Sequence, residues 1–338
     1  MVDGSLISSY GDQTPLATAS TAKLITALVV LSKKPLAAGE QGPTITLGAA
    51  DVALYQQYVA AHGSVMYVSD GAQFTEYQML EAMMLPSANN IADSLAIWAF
   101  GSLSAYKTAA TAFLQTNRFN DTHIGSDASG LASDTTSSAV DMVRIGSLVM
   151  RDPVLAEIVG KKSAVIPGIG TVQNYNRLLG VNNVVGIKTG NNDDDPGAFV
   201  GAATTQVNGV KETIISAIMG APSLNTVLTN SGTVLAIAQN LFADTTVIPE
   251  GTILGTYQQA DGTRVQAVAA TNLHTMLVRG TKVQVTVDLK GITYDTPAQA
   301  VVGTATVHST LAEQESKIPV ILKQAPQVPD WRYKLTHP

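Results

Sequence analysis

Apolar and polar positions follow two rhythms along the chain. Up to about residue 243, apolar stretches with helical spacing alternate with short strand-like runs. From about residue 244 onward the chain reads as strand after strand. Examples are the runs 265–269, 282–289 and 301–307, punctuated by turn signals at Asp261-Gly262 and Arg279-Gly280. The segment from Thr18 to Leu31 is apolar on nearly every face, with Pro15 before it and Lys33-Lys34-Pro35 after it. That pattern predicts a buried central helix. Further helices are predicted over 73–85, 90–99, 136–150 and 227–242, with Asp141 and Arg144 on the wetter face of the 136–150 helix. Residues 198–203 and 213–220 read as strands joined by a hairpin turn at Asn208-Gly209. Helices followed by a late hairpin predict an α/β (α+β) domain with an antiparallel sheet flanked by helices. The strand-only stretch predicts a small C-terminal all-β domain. The expected boundaries are 1–243, 244–325 and a tail over 326–338.

Composition narrows the function classes. The chain has 338 residues, 45% of them hydrophobic, which suffices for a large packed core. A net charge of −6 without a Lys/Arg cluster excludes a nucleic-acid partner, because the attraction to phosphate is missing. With no cysteine there are no disulfides, no thiolate metal sites and no Cys nucleophile. His62, His123, His274, His308 and His337 are scattered without zinc spacing, so neither a metal nor any other cofactor is expected. Asp193 to Asp195 lack ligand spacing and read as a solvated loop. No apolar run approaches the roughly 20 residues of a membrane span. The first residues carry neither a basic stretch nor an apolar core, so no leader is expected within this chain. The aromatic and cationic residues of 329–338 fit either a frayed tail or a stretch lying just outside a membrane anchor.

Three short motifs carry candidate chemistry. In Ser20-Thr-Ala-Lys23, helical spacing puts Lys23 one turn from Ser20 and on its face. A lysine followed by Leu-Ile-Thr-Ala-Leu-Val-Val-Leu has little wet surface to reach. Desolvation would lower its proton affinity and make it a base for the otherwise inert hydroxyl. Ser87-Ala-Asn89 follows Pro86 in a turn between two predicted helices, offering a hydroxyl for proton relay and an amide for a substrate amide. Lys188-Thr189-Gly190 follows an apolar run that suggests an edge strand. It offers a cation, a hydroxyl donor and a residue that permits close backbone approach. Taken singly, each is better read as ordinary; Ser-x-x-Lys alone is expected about once by chance in a chain this long. Their conjunction, in this order and context, is the signal.

The chain resembles the D-alanyl-D-alanine carboxypeptidases, low-molecular-mass penicillin-binding proteins of the β-lactamase/transpeptidase-like fold. The likeness extends to Pro15-Leu-Ala-Thr-Ala-Ser, Met84-Leu-Pro-Ser-Ala-Asn-Asn-Ile-Ala, Asp127-Ala-Ser-Gly-Leu, Asn176-Arg-Leu-Leu-Gly, Gly186-Ile-Lys-Thr-Gly and Gly220-Ala-Pro-Ser. It covers about residues 5 to 243, and more loosely the β-rich tail. The resemblance implies a peptidoglycan stem peptide ending in D-Ala-D-Ala as partner, β-lactams as inhibitors and an extracytoplasmic location. It also implies membrane association through a segment outside this chain. Ser20 would attack, Lys23 would take its proton, and Ser87 with Lys188 would relay a proton to the leaving D-Ala. Asn89 would hold the stem amide, Thr189 and Lys188 would receive the terminal carboxylate, and the N–H groups of Ser20 and Asn191 would form the oxyanion hole, beside Gly190. The chain departs from the family's usual residues at Asn90, Val185, Asn191 and Asn192. A β-lactamase or esterase on the same scaffold, or a non-catalytic peptidoglycan-binding scaffold, are the competing readings. The Glu-x-x-Leu-Asn of class A β-lactamases has no counterpart; Glu157 is the nearest residue.

Overall fold

The computed structural model describes residues 6–191, 197–207, 210–279, 283–309 and 315–328. The Asn208-Gly209 turn, Gly280, Asn192 with Asp193–Asp195, and the tail from residue 329 lie outside the described residues. The chain divides into two compact units, one of residues 1–205 with 211–239 and the other of residues 206–210 with 240–338.

In the first unit a short strand β1 (Leu16–Ala17) leads into a 3₁₀ turn (Ala19–Ala22) and then α1 (Lys23–Lys33). The predicted helix is therefore continuous but changes pitch at Lys23, so Ser20 lies in the tighter first turn. From Lys23 to Leu31 every side chain of α1 except Leu28 is buried, as its all-round apolar pattern demands. Next come β2 (Thr44–Thr46), α2 (Ala49–Ala60), β3 (Gln73–Thr75), α3 (Glu76–Met84), α4 (Asn89–Phe100) and α5 (Leu103–Thr116). The segment predicted as one helix from residue 73 spends three residues as a strand paired with β2. A capping box fixes the switch. Gln78 N–H donates to Thr75 Oγ1 (3.2 Å) and Thr75 N–H to Gln78 Oε1 (2.9 Å).

Strand β4 (Thr136–Ser137) pairs with β1, and the chain then enters α6 (Ala139–Arg151), α7 (Pro153–Gly160) and the hairpin β5 (Ser163–Ile166) and β6 (Gly170–Gln173). On α6 the expectation for Asp141 is corrected. Its side chain is buried, accepting from Asp121 N–H (2.9 Å) and Thr122 Oγ1 (3.0 Å), while Arg144 stays in water. These donors satisfy the carboxylate without solvent. Strands β7 (Val184–Gly190), β8 (Gly197–Val207) and β9 (Val210–Ala221) form a sheet in that order, with β7 antiparallel to β8 and at the edge, followed by α8 (Leu224–Gln239). α1 packs against α3, α4, α5 and α6, so the sequence's most apolar helix is the hub of the unit.

The second unit is all strand: β10 (Phe242–Ile248), β11 (Ile253–Gln258), β12 (Arg264–Ala269), β13 (Leu273–Val278), β14 (Val283–Leu289), β15 (Val301–Ser309) and β16 (Glu315–Leu322). β10 pairs with β13, and the rest form a five-stranded sheet in the order β11-β12-β16-β15-β14. Its core is purely aliphatic, built around Ile248, Val265, Leu273, Val307, Val320 and Leu322.

Candidate active site

Ser20, in the first turn before α1, is nearly buried at 8% exposure, and Lys23 is fully buried. In a first helical turn, backbone N–H groups lack intrahelical acceptors and remain available to an anion. Lys23 Nζ lies 2.8 Å from Ser20 Oγ, 2.6 Å from Asn89 Oδ1 and 2.9 Å from the carbonyl oxygen of Ser129. Three oxygens surround the amine: an ammonium donates one N–H to each, and in the neutral form two N–H groups serve the carbonyl oxygens while the lone pair is left for the serine proton. Burial drives the Lys23 ammonium well below the ordinary lysine range, and the nearby Lys188 pushes the same way. Asp127 and Asp93 oppose them.

Asn89 opens α4, and Ser87 precedes it in the turn after Pro86. Ser87 adopts a left-handed backbone (φ 63°). Such a conformation is strained for a residue with a Cβ and concentrates at functional sites. Ser87 Oγ accepts from Lys188 Nζ at 2.9 Å, and Lys188 also donates to the Thr189 carbonyl (3.1 Å). Lys188 is buried on edge strand β7, and desolvation pushes it down to about 7. Two lysine–serine pairs thus arise from the three motifs, with Asn89 touching one pair and lying two residues from the other.

Asn90, where the family usually has Asp, donates to the Met66 carbonyl (2.9 Å) and accepts from Met66 N–H (3.0 Å). An amide supplies both partners; a carboxylate would supply one. Thr189 is buried. At Gly190 the close approach comes from the chain itself rather than only from a ligand. A Cβ there would stand 2.9 Å from the Thr18 carbonyl oxygen and 3.1 Å from Thr21 N, so the absent side chain lets β7 pack on the nucleophile turn. Asn191 is exposed at the end of β7. Glu157 accepts from Tyr77 Oη (2.8 Å) and pairs with Lys161 (3.2 Å), an engagement apart from both lysine–serine pairs.

Three functional groups escaped sequence reasoning. The Ser129 carbonyl is a backbone group with no residue signal. Asp127, noted only as part of a resembling segment, accepts from the N–H groups of Ser129, Gly130 and Ala132 (2.7, 2.5 and 2.7 Å) and shapes that turn. Gly130 is left-handed (φ 74°), and a Cβ there would stand 2.1 Å from the Ala19 carbonyl oxygen, so only glycine lets the turn reach the nucleophile. Asp93 was legible as the lone acid in the apolar run Ile91 to Ala96. It is buried one turn beyond Asn89, accepting from Tyr58 Oη (2.7 Å) and Ala128 N–H (2.8 Å).

The family model described as D-alanyl-D-alanine carboxypeptidase matches residues 3–223. The chain is 30% identical over 209 residues to D-alanyl-D-alanine carboxypeptidase DacA of Escherichia coli, covering 60% of this chain and 49% of that protein. It is 30% identical over 192 residues to DacB2 of Mycobacterium tuberculosis, covering 55% of this chain and 61% of that protein. The matches thus span about half to three-fifths of the length of these curated relatives. Penicillin binding protein 5 from Haemophilus influenzae superposes with a TM-score of 0.65 at 20% identity, over 95% of this chain and 93% of that one. The Streptomyces K15 DD-transpeptidase does so with 0.60 at 23%, over 69% and 94%. At such identities the superpositions speak to the fold alone, and the first, at 95% of this chain, extends over the small β-rich unit as well as the helical one.

Proposed function

The chain belongs to the D-alanyl-D-alanine carboxypeptidase family, and from that premise we propose that it removes the terminal D-Ala of peptidoglycan stem peptides through an ester on Ser20. The supporting observation is the 2.8 Å contact between Ser20 Oγ and Lys23 Nζ, a fully buried amine that burial drives well below the ordinary lysine range. Ser20 Oγ adds to the carbonyl carbon of the penultimate D-Ala while its proton passes to Lys23. Developing oxyanion charge falls on the N–H groups of Ser20 and Asn191. Collapse breaks the peptide bond, and the leaving D-Ala nitrogen takes a proton through Ser87 from Lys188. Water then cleaves the ester, its proton passing through Ser87 to the deprotonated Lys188 while Lys23 returns its proton to Ser20 Oγ, which releases the shortened stem and restores both lysines. Asn89 gives its Oδ1 to Lys23 and its amide N–H to the stem, while Thr189 and Lys188 receive the terminal carboxylate. Residues 1–243 form the catalytic domain in this reading and 244–325 an accessory β domain. Its place is the cell envelope, outside the cytoplasmic membrane, where the substrate lies; among the described residues no helix is long and apolar enough to cross a membrane. β-Lactams, which mimic the scissile dipeptide and acylate the same serine, are its inhibitors.

The test is release of free D-Ala from a synthetic stem peptide ending in D-Ala-D-Ala, beside one ending in D-Ala-L-Ala and beside Ser20→Ala. Release from the first peptide only, abolished in the variant, is expected. Folded protein that forms a penicillin adduct yet frees no D-Ala would overturn the carboxypeptidase reading in favour of a scaffold.

A further inference from the structure

Behind the amine of Lys23 lies a second layer of buried polar groups that the reaction above does not use. Asp93 projects from α4 and is held from two sides: by Tyr58 Oη from α2 and by Ala128 N–H from the turn after α5. Ala128 is also gripped through its carbonyl, which accepts from Thr26 Oγ1 of α1 at 2.6 Å; that hydroxyl lies 2.8 Å from Tyr106 Oη of α5. The next residue along the turn is Ser129, whose carbonyl meets Lys23 Nζ. The Asp93 carboxylate therefore anchors the residue immediately before the one whose carbonyl touches the base. Ser129 Oγ reaches Tyr58 Oη at 3.4 Å, so the same tyrosine also braces the turn.

The charge of Asp93 matters as well as its bonds. The titratable groups in its field are Lys23 on α1, Tyr58 on α2, Tyr106 on α5 and Asp127 in the turn. Glu81 on α3 is occupied by Lys161 at 2.9 Å, and Asp51 on α2 by Ser94 Oγ at 2.6 Å. Burial pushes the hydroxyls of Tyr58 and Tyr106 up, so both remain protonated, and Tyr58 donates to Asp93 while accepting from Ser129 Oγ. Burial also holds the Asp93 carboxyl up, at about 6, while Tyr58 and Ala128 favour its charged form.

We propose that Asp93 is a positioning residue of the acylation step: its carboxylate fixes the Ser129 carbonyl against Lys23 and sets how firmly Lys23 keeps its proton. A negative charge in a dry site strengthens the hold of a nearby ammonium on its proton. Removing the charge leaves Lys23 neutral at lower pH, so the acidic limb of Ser20 acylation moves towards acid. The limb belongs jointly to the two lysines, and it is the displacement between variants that carries the information.

This inference rests on the acyl-enzyme reading, and the experiment separates the two. The rate of Ser20 labelling by a fluorescent penicillin is followed across about pH 5 to 10 for the wild type, Asp93→Asn, Asp93→Ala and Tyr58→Phe. Asp93→Asn keeps an acceptor for Ala128 N–H but no charge; its limb is expected about one pH unit below that of the wild type, with the plateau within about threefold. Asp93→Ala also loses the anchor and is expected to show the same displacement with a plateau about tenfold lower. Tyr58→Phe keeps the carboxylate but removes a donor that favours its charged form, giving a smaller displacement in the same direction. A merely structural aspartate would lower the amount of active protein and leave the limb in place. A labelled wild type whose limb coincides with that of folded Asp93→Asn overturns the inference alone. Should Asp93→Asn not fold, an undisplaced Tyr58→Phe limb does the same. An unlabelled wild type overturns the acyl-enzyme reading and this inference with it.

Discussion

The helical unit and the β-rich unit bury their side chains on opposite terms. In the first, the hub helix begins with a fully buried lysine, a second buried lysine sits on the edge strand, and Asn89, Asp93 and Asp141 are buried as well. In the second, the core is Ile248, Val265, Leu273, Val320 and their like. Among the described residues, every buried polar or charged side chain lies at or before Ser231. Burying an ammonium costs several kcal/mol even after relaxation, whereas each aliphatic group in the β-rich core stabilises. The polar interior is thus confined to the unit that holds the candidate site, and the described residues of the strand unit carry none of it.

Substituting the buried lysines tests this contrast most severely. Lys23→Met is expected to slow Ser20 acylation by about 10³-fold or more, through loss of the base, while the protein resists denaturant at least as well as before. Acylation kinetics beside a urea titration check both halves; a marked loss of stability would mean that the lysine is structural. Lys188→Met is expected to slow acylation by about 10²-fold. It should also stabilise the fold, by about 2–4 kcal/mol. The sign follows from linkage. Lys188 is pushed down to about 7 from an ordinary 10.5, so the unfolded chain binds a proton that the native state rejects. The penalty is absent above about pH 10.5, grows as pH falls, and is complete below about 7; the gain from Lys188→Met should follow that course.

The β-rich unit should respond in the opposite way. Leu322→Ala is expected to cost about 2–5 kcal/mol by opening a cavity, with no change in the acylation rate of the folded fraction. A matching loss of acylation would break the separation of roles. The smallest effect is expected at Glu76, a buried carboxyl on α3 with no hydrogen-bond partner among the described residues, pushed up to about 7 by burial against the pull of Lys34. Its native form holds a proton that the unfolded chain releases near 4.5, so its contribution is best below that pH and declines until about 7. Glu76→Gln should therefore stabilise the protein by about 1–3 kcal/mol at neutral pH and by nothing near pH 4, read by thermal unfolding.

What was legible in the sequence follows the same divide. The strands of the second unit could be read from alternation and turn residues, because an aliphatic core leaves a plain pattern. In the first unit, α1 was legible from its uninterrupted apolar faces, and the motif residues from their order. The pitch change at Lys23 was not, since the turn before it packs against distant backbone at Gly190 and Gly130 that no local pattern announces. The start of α3 was misplaced although Thr75 and Gln78 spell a capping box. The burial of Asp141 was hidden because its donors, Asp121 N–H and Thr122, come from a distant loop. The third partner of Lys23 is a peptide carbonyl, which no side-chain pattern announces.

The central claim is that Ser20, activated by a neutral buried lysine, forms the covalent intermediate. The direct measurement is peptide mass spectrometry of the protein after incubation with a fluorescent penicillin, with Ser20→Ala alongside. The account predicts a single adduct on the peptide containing Ser20 and none in the variant. A folded protein that remains unlabelled, or one labelled equally well without Ser20, would contradict it.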